Sequence, residues 1–312
     1  MLYLANAHLR VEILDPANPA DAAHLGARFC HGGFIWQIHD LALAATPAER
    51  NGGFPPSPPA TSHPLLSGPE YPAPSPTPFN AQGLPESFRH RTRDGAPLTW
   101  NVAGTHGIAI GAGALTADAT GHVTLAEPCQ WTITPAPAPS VSTPTTQLVF
   151  HTRHCAAGFS YALTRTLRLV DRTITSSSEL THLGDTPFDL QWFAHPFWPL
   201  TQNRARLALP VGTTLPTNPG FTLAADGTLS FQRPFITPDD SQFSLLTLPP
   251  SAELSLSLDH PALSRVTFTT SFVPSECPVW ANAHTVSVEP YLALKLSPGE
   301  TRHWHVRHEF NQ

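Results

Sequence analysis

Lysine is almost missing from this chain of 312 residues: Lys295 is the single one, and arginine supplies the rest of the 17 basic side chains. Against 23 acidic residues they leave a net charge of −6. That excludes the broad basic surface on which nucleic-acid binding depends. Cysteine is also scarce. Cys30, Cys129, Cys155 and Cys277 stand far apart with no CxxC pair, so neither a metal site nor a disulfide framework is expected, and the thiols read as free. No apolar run is long enough to cross a membrane. The first ten residues, Met1-Leu2-Tyr3-Leu4-Ala5-Asn6-Ala7-His8-Leu9-Arg10, have no charged start followed by an apolar stretch. No signal peptide is therefore expected, and the chain reads as cytoplasmic. A sustained helical period is missing too.

Proline, by contrast, is abundant, at 35 residues. Between the prolines run short apolar segments that alternate in polarity, separated by turn residues, as in β-sandwiches and barrels. Leu9 to Leu14, Phe34 to Asp40, Gln147 to Thr152, Arg265 to Phe272 and His303 to Phe310 are such segments. Tyr161 to Val170 and Thr173 to His182 flank Asp171-Arg172 and predict a hairpin. The expected fold class is all-β, in a single domain over 1–312. Residues 47–85 hold twelve prolines, a density no sheet interior tolerates. This stretch reads either as a lid over a site or as an extended crossover. Residues 135–144 read as a shorter linker. Nothing in the pattern indicates an oligomeric state.

Two strand-like segments carry proton-transfer residues just before a proline. In Asp189-Leu190-Gln191-Trp192-Phe193-Ala194-His195-Pro196-Phe197, alternation places Leu190, Trp192 and Ala194 on one face and Gln191, Phe193, His195 and Phe197 on the other. The first set suits a core. The second mixes aromatic and polar groups, as a sugar-binding groove requires. In Thr285-Val286-Ser287-Val288-Glu289-Pro290-Tyr291, Thr285, Ser287, Glu289 and Tyr291 share a face. A carboxylate between apolar neighbours is desolvated, and its pKa rises. A histidine and a carboxylate facing one substrate suffice for general acid–base chemistry. Each residue alone also fits a plain structural role, His195 as a satisfied core histidine and Glu289 as a strand end.

The segment around His195-Pro196-Phe197 resembles the strand of galactose mutarotases (aldose 1-epimerases) that carries a histidine followed by aromatic residues. Val288-Glu289-Pro290, then Leu296-Ser297-Pro298-Gly299-Glu300 and Trp304, is similar to that family's C-terminal signature. Gly26-Ala27-Arg28-Phe29 and Gly32-Gly33-Phe34-Ile35 resemble its early hairpin. The resemblance implies a large antiparallel β-supersandwich and a carbohydrate substrate, with no cofactor. It implies that His195 protonates the ring oxygen of a cyclic aldose while Glu289 takes the proton of the anomeric hydroxyl. His106, in Thr105-His106-Gly107, matches the family's assisting histidine and equally suits a turn. Asp239 and Asp240 stand where an assisting aspartate is sought, in a Pro-Asp-Asp turn that itself explains them. The family's Asn-Arg pair has no clean counterpart, since Asn203-Arg204 falls in the wrong place.

Gln191, Phe193, Tyr291, Arg28 and Arg89 complete the expected groove. Arg89, Arg91 and Arg93 alternate, so an extended strand would bring all three to one face. They would there grip a phosphate or carboxylate, or else form a solvated edge. Two other functions fit the same scaffold: a non-catalytic carbohydrate-binding domain, and a lyase or isomerase.

Overall fold

The structure is a computed structural model that describes residues 1–44, 63–67, 82–135, 145–202, 204–237, 239–250 and 253–312. Most of the Pro-rich loop, all but Pro135 of the 135–144 linker, Glu70 and Asn203 lie outside the described residues. The predicted hairpin is there: Phe159–Val170 pairs with Thr173–His182 in antiparallel register, with Val170 opposite Thr173. Asp171 takes the left-handed conformation at the turn (φ 49°), which Asp tolerates better than most residues.

That hairpin lies inside a ten-stranded antiparallel sheet. Thr301–Asn311 pairs with Thr173–His182 on one side, and Gln147–Ala156 with Phe159–Val170 on the other. The alternation Leu163, Leu167, Leu169 and Ile174, Leu180 puts one face of this sheet into the core. Smaller antiparallel sheets form the opposing layer. In one of them Phe188–Ala194 lies between Tyr291–Leu296 and Glu86–Arg89. In another, Thr285–Val288 lies between Trp198–Pro199 and Cys277–Ala281. Indole contacts join the layers: Trp192 meets Trp304 at 5.6 Å between ring centroids, and Trp198 meets Phe268 at 5.4 Å. Trp192 and Trp198 are wholly buried, and truncating either to alanine would cost about 3–5 kcal/mol. The result is the large antiparallel β-supersandwich that the resemblance implied. The described helices are two single turns, Pro19–Ala22 and Leu41–Ala44. No described helix is long and apolar enough to cross a membrane.

Short strands that the alternation does not announce also form, among them Glu86–Arg89, His106–Ala109, Gly113–Ala117 and Cys277–Ala281. Each is at most five residues long, and two contain glycine, so no period builds up. The Glu86 carboxylate forms a buried ion pair with Arg165 at 2.6 Å and accepts from the Ser176 hydroxyl at 2.6 Å. That pair ties the Glu86–Arg89 strand to the large sheet. The four cysteines are free thiols, with Cys155 alone exposed.

Candidate active site

Because strand side chains alternate, Trp192 enters the core and Phe193 leaves it on the other side of the sheet. His195 follows the end of the Phe188–Ala194 strand. Its backbone is still held as if in a sheet: His195 N donates to Pro85 O at 2.9 Å, and Phe197 N donates to Gly83 O at 2.9 Å. On its other side Gly83 packs against the Ile35–Asp40 strand. Its φ is +81°, and a Cβ there would stand 2.2 Å from the carbonyl oxygen of Ile35, so only glycine lets residues 83 and 35 run so close.

The second segment differs from the single strand expected. Thr285–Val288 and Tyr291–Leu296 are separate strands in separate sheets, and Glu289-Pro290 is the corner between them. Proline has no N–H to donate, so the ladder breaks there. Glu289 N donates to Pro278 O at 2.8 Å and Tyr291 N to Glu276 O at 2.8 Å, which holds the corner from both sides.

The corner brings Glu289 to His195. Their Oε1 and Nε2 atoms are 3.4 Å apart, a contact too long for a good hydrogen bond. They are 5% and 2% exposed. The other imidazole nitrogen, Nδ1, is 3.1 Å from Ser287 Oγ, and the Phe197 ring stacks on the imidazole at 4.3 Å. Both groups line a cavity of about 570 Å³ together with Arg28, Arg89, Arg93, Phe243, Trp280 and Tyr291. A neighbouring cavity of about 690 Å³ shares Arg28, Arg89 and Tyr291 and adds Phe193, among others. Phe193 and Tyr291 stack nearly parallel, 4.6 Å apart at 5°.

Burial sets the protonation of the pair. It pushes the Glu289 carboxyl up from 4.5 to about 7, while Arg28, Arg93, Arg89 and the Tyr291 hydroxyl pull the other way. It also drives the imidazole of His195 well below 6.5, helped by the charge of Arg28. Burial raises the Tyr291 phenol too, and Glu289 adds to that rise. At neutral pH His195 is therefore uncharged and Glu289 holds its proton about half the time.

The residues singled out in the sequence fall into two groups. His195, Glu289, Arg28, Arg89, Phe193 and Tyr291 line one or both of these two neighbouring cavities. Gln191 is half-buried beside them, paired in register with Arg89, and lines neither. His106 is exposed at the start of its strand, with Thr105 Oγ1 3.0 Å from its Nδ1, and lines neither cavity. Asp240 accepts from Arg233 at 2.8 and 2.7 Å, and it too lies outside them. The three alternating arginines do not share a face, because the strand ends at Arg89. Arg91 stands over Trp100, 4.5 Å from the ring centroid, and lines the neighbouring cavity, while Arg93 reaches the His195 cavity. Ser287 shares the alternation of Glu289, which was the one signal for it. Trp280 and Phe243 come from other strands and carried no such signal. Among the described residues no group of three or more His, Cys, Asp or Glu side chains is placed to hold a metal ion.

No model of a known protein family matches the chain, and no curated protein sequence does. Solved structures do match it over nearly its whole length. A galactose mutarotase-like protein from Lactobacillus casei superposes with a TM-score of 0.56, covering 100% of both chains at 14% identity. This chain has the galactose mutarotase-like fold. A galactose mutarotase related enzyme from Lactobacillus acidophilus gives 0.56 at 11% identity, over 100% of this chain and 97% of that one. The GalM/aldose epimerase homologue from C. elegans gives 0.52 at 10% identity, over 100% and 98%. At such identities the likeness is one of fold. Within the galactose mutarotase-like fold, the chemistry has to be argued from the cavity residues themselves.

Proposed function

We propose that this protein is an aldose 1-epimerase-like enzyme that interconverts the anomers of a sugar or sugar derivative. The observation that carries the reading is the 3.4 Å contact between His195 Nε2 and Glu289 Oε1 at the wall of a cavity lined with aromatic rings. Anomer exchange moves two protons at two oxygens bonded to the same carbon, so the acid and the base must stand side by side. Glu289 takes the proton of the anomeric hydroxyl as His195 protonates the ring oxygen. The C1–O5 bond breaks, the C1–C2 bond rotates, and closure on the other face returns both protons. Below about pH 7 the pair holds one proton between them, and the productive distribution puts it on His195. The Ser287 hydroxyl accepts from Nδ1–H in both states of the ring, which leaves Nε2 as the nitrogen that gives and takes the proton. Trp280, Phe243 and Tyr291 offer apolar faces to the C–H side of a sugar.

Proton NMR exchange spectroscopy on a panel of aldoses tests the reading. Purified protein is expected to speed anomer exchange of at least one sugar, and His195→Ala and Glu289→Gln each to remove the acceleration. General acid–base catalysis is worth typically 10²–10⁴-fold, so the loss has to be of that size. Full acceleration in both variants would end the proposal.

A further inference from the structure

His195 and Phe197 stand two residues apart on an extended segment, so their side chains leave it on the same side. Pro196 between them keeps His195 extended, because the ring of a proline crowds the helical conformation of the residue before it. Phe197 N donates to Gly83 O at 2.9 Å, which anchors the far end of the pair. The outcome is a stack, with ring centroids 4.3 Å apart and planes 24° from parallel. Phe197 is wholly buried in an apolar cluster with Leu14, Phe29 and Phe34, so its ring is held against the imidazole.

Three other rings stand around the imidazole: Phe193 at 6.0 Å and 51°, Phe29 at 6.1 Å and 86°, and Trp280 at 6.1 Å and 68°. Of the four, Phe197 is the closest and the nearest to parallel. It therefore turns its face to the imidazole, and the face carries the negative side of the ring quadrupole. Such a face attracts a cation far more than a neutral ring of the same shape. The polar groups around His195 are the Glu289 carboxyl at Nε2, the Ser287 hydroxyl at Nδ1 and the charge of Arg28. Burial and Arg28 both oppose protonation of the imidazole. The face of Phe197 acts in the opposite sense, and at so buried a ring water screens it little.

Building on the epimerase reading, we propose that Phe197 is a positioning residue for proton transfer: its ring face favours the imidazolium form of His195, the form that protonates the ring oxygen of the sugar. With one proton on the pair, this attraction moves it from Glu289 towards His195 Nε2, and kcat rises with the share of protein in that state. When Nε2 gives its proton to the ring oxygen, the stack is left with a neutral imidazole and Glu289 holds the proton of the anomeric hydroxyl. Phe197 lines neither cavity, so it acts through His195 and not on the sugar. The competing account is that the ring only packs, as Leu14 and Phe34 do in the same cluster.

The test uses the full chain with mono-, di- and trifluorophenylalanine placed at position 197 alone, beside Phe197→Leu. Fluorine draws charge off the ring face and scarcely changes its shape, so the series weakens the attraction while the packing stays. Proton NMR anomer exchange is read on the aldose that the wild type exchanges fastest. The logarithm of kcat is expected to fall in steps along the series, to a loss of about 5- to 30-fold in the trifluoro protein, with KM within about twofold of the wild type. The acid limb of kcat/KM moves to lower pH in the same steps, because the second proton on the pair also goes to His195; the alkaline limb, set by Glu289, stays. Phe197→Leu is expected to lose at least as much. Fluorinated proteins with wild-type kcat, or a leucine variant that is slow beside an unaffected fluorinated series, would overturn the proposal and leave packing. If no aldose exchanges, the epimerase reading fails by itself. Titration of the His195 ring nitrogens by NMR then decides the contact: a midpoint that moves stepwise to lower pH along the series retains it, and any other result removes it.

Discussion

Replacing Glu289 by glutamine removes a charge and keeps the shape, so it isolates the cost of holding that carboxylate in the cavity wall. Burial raises the folded-state pKa from 4.5 to about 7. A carboxyl whose pKa is raised on folding keeps its proton more tightly in the native state. The penalty is thus absent below the unfolded value, grows as pH climbs from 4.5 towards 7, and stays constant above. At 1.36 kcal/mol per unit the full penalty is about 3 kcal/mol. Spread over an unfolding entropy of roughly 2.1 cal/mol/K per residue, it shifts the melting temperature by about 5 °C. Scanning calorimetry of the wild type and Glu289→Gln at pH 5 and pH 8 reads this directly. The variant is expected to melt within about 2 °C of the wild type at pH 5 and about 5 °C above it at pH 8, while losing its anomer exchange. A variant that melts below the wild type at pH 8 would refute the reasoning. It would mean that attraction from Arg28, Arg93 and Arg89 outweighs desolvation, and that Glu289 is an ordinary carboxylate.

Two further outcomes follow from the same site. The pH dependence of kcat/KM on an unphosphorylated sugar reports the empty enzyme. It is expected to fall as pH rises through about 7, where the Glu289–His195 pair loses its shared proton, and to hold on the acid side to well below 6.5, where His195 takes up a second one; a profile flat from pH 6 to 9 would count against the pair. Ser287→Ala removes the partner of His195 Nδ1 and is expected to lower kcat about tenfold with KM little changed, with threonine restoring most of it; a drop that threonine does not restore would point to packing instead.

Local pattern carried a good deal of this. The Phe159–Val170 and Thr173–His182 hairpin was legible because two period-2 segments flank a two-residue polar turn. The division of Phe188–Ala194 into a core face with Trp192 and a groove face with Phe193 followed from the same period. His195 and Glu289 stood out because each places a titratable group in an apolar, strand-forming run. The alternation could not show that Thr285–Val288 and Tyr291–Leu296 part at Glu289-Pro290 into different sheets. A proline permits a corner, but the partners on either side decide whether one forms. The alternation left Arg89, Arg91 and Arg93 open, because a shared face needs an extended register and the strand ends at Arg89. His106 was chosen by a His-Gly match and Asp240 by its place along the chain, and neither signal says which strand ends converge.

The sequence by itself determined an acidic, lysine-poor, strand-dominated chain, the faces of its longer strands, and the two residues most fit to move protons. Each of those depends on neighbours a few positions apart. Only the tertiary structure decided that Arg93, Phe243 and Trp280 join Arg28 at one cavity, that Ser287 supports the imidazole, and how far burial raises the pKa of Glu289. Those properties come from strand pairings across tens to hundreds of residues. Desolvation depends on what packs around a group in space, and a one-dimensional pattern does not contain it.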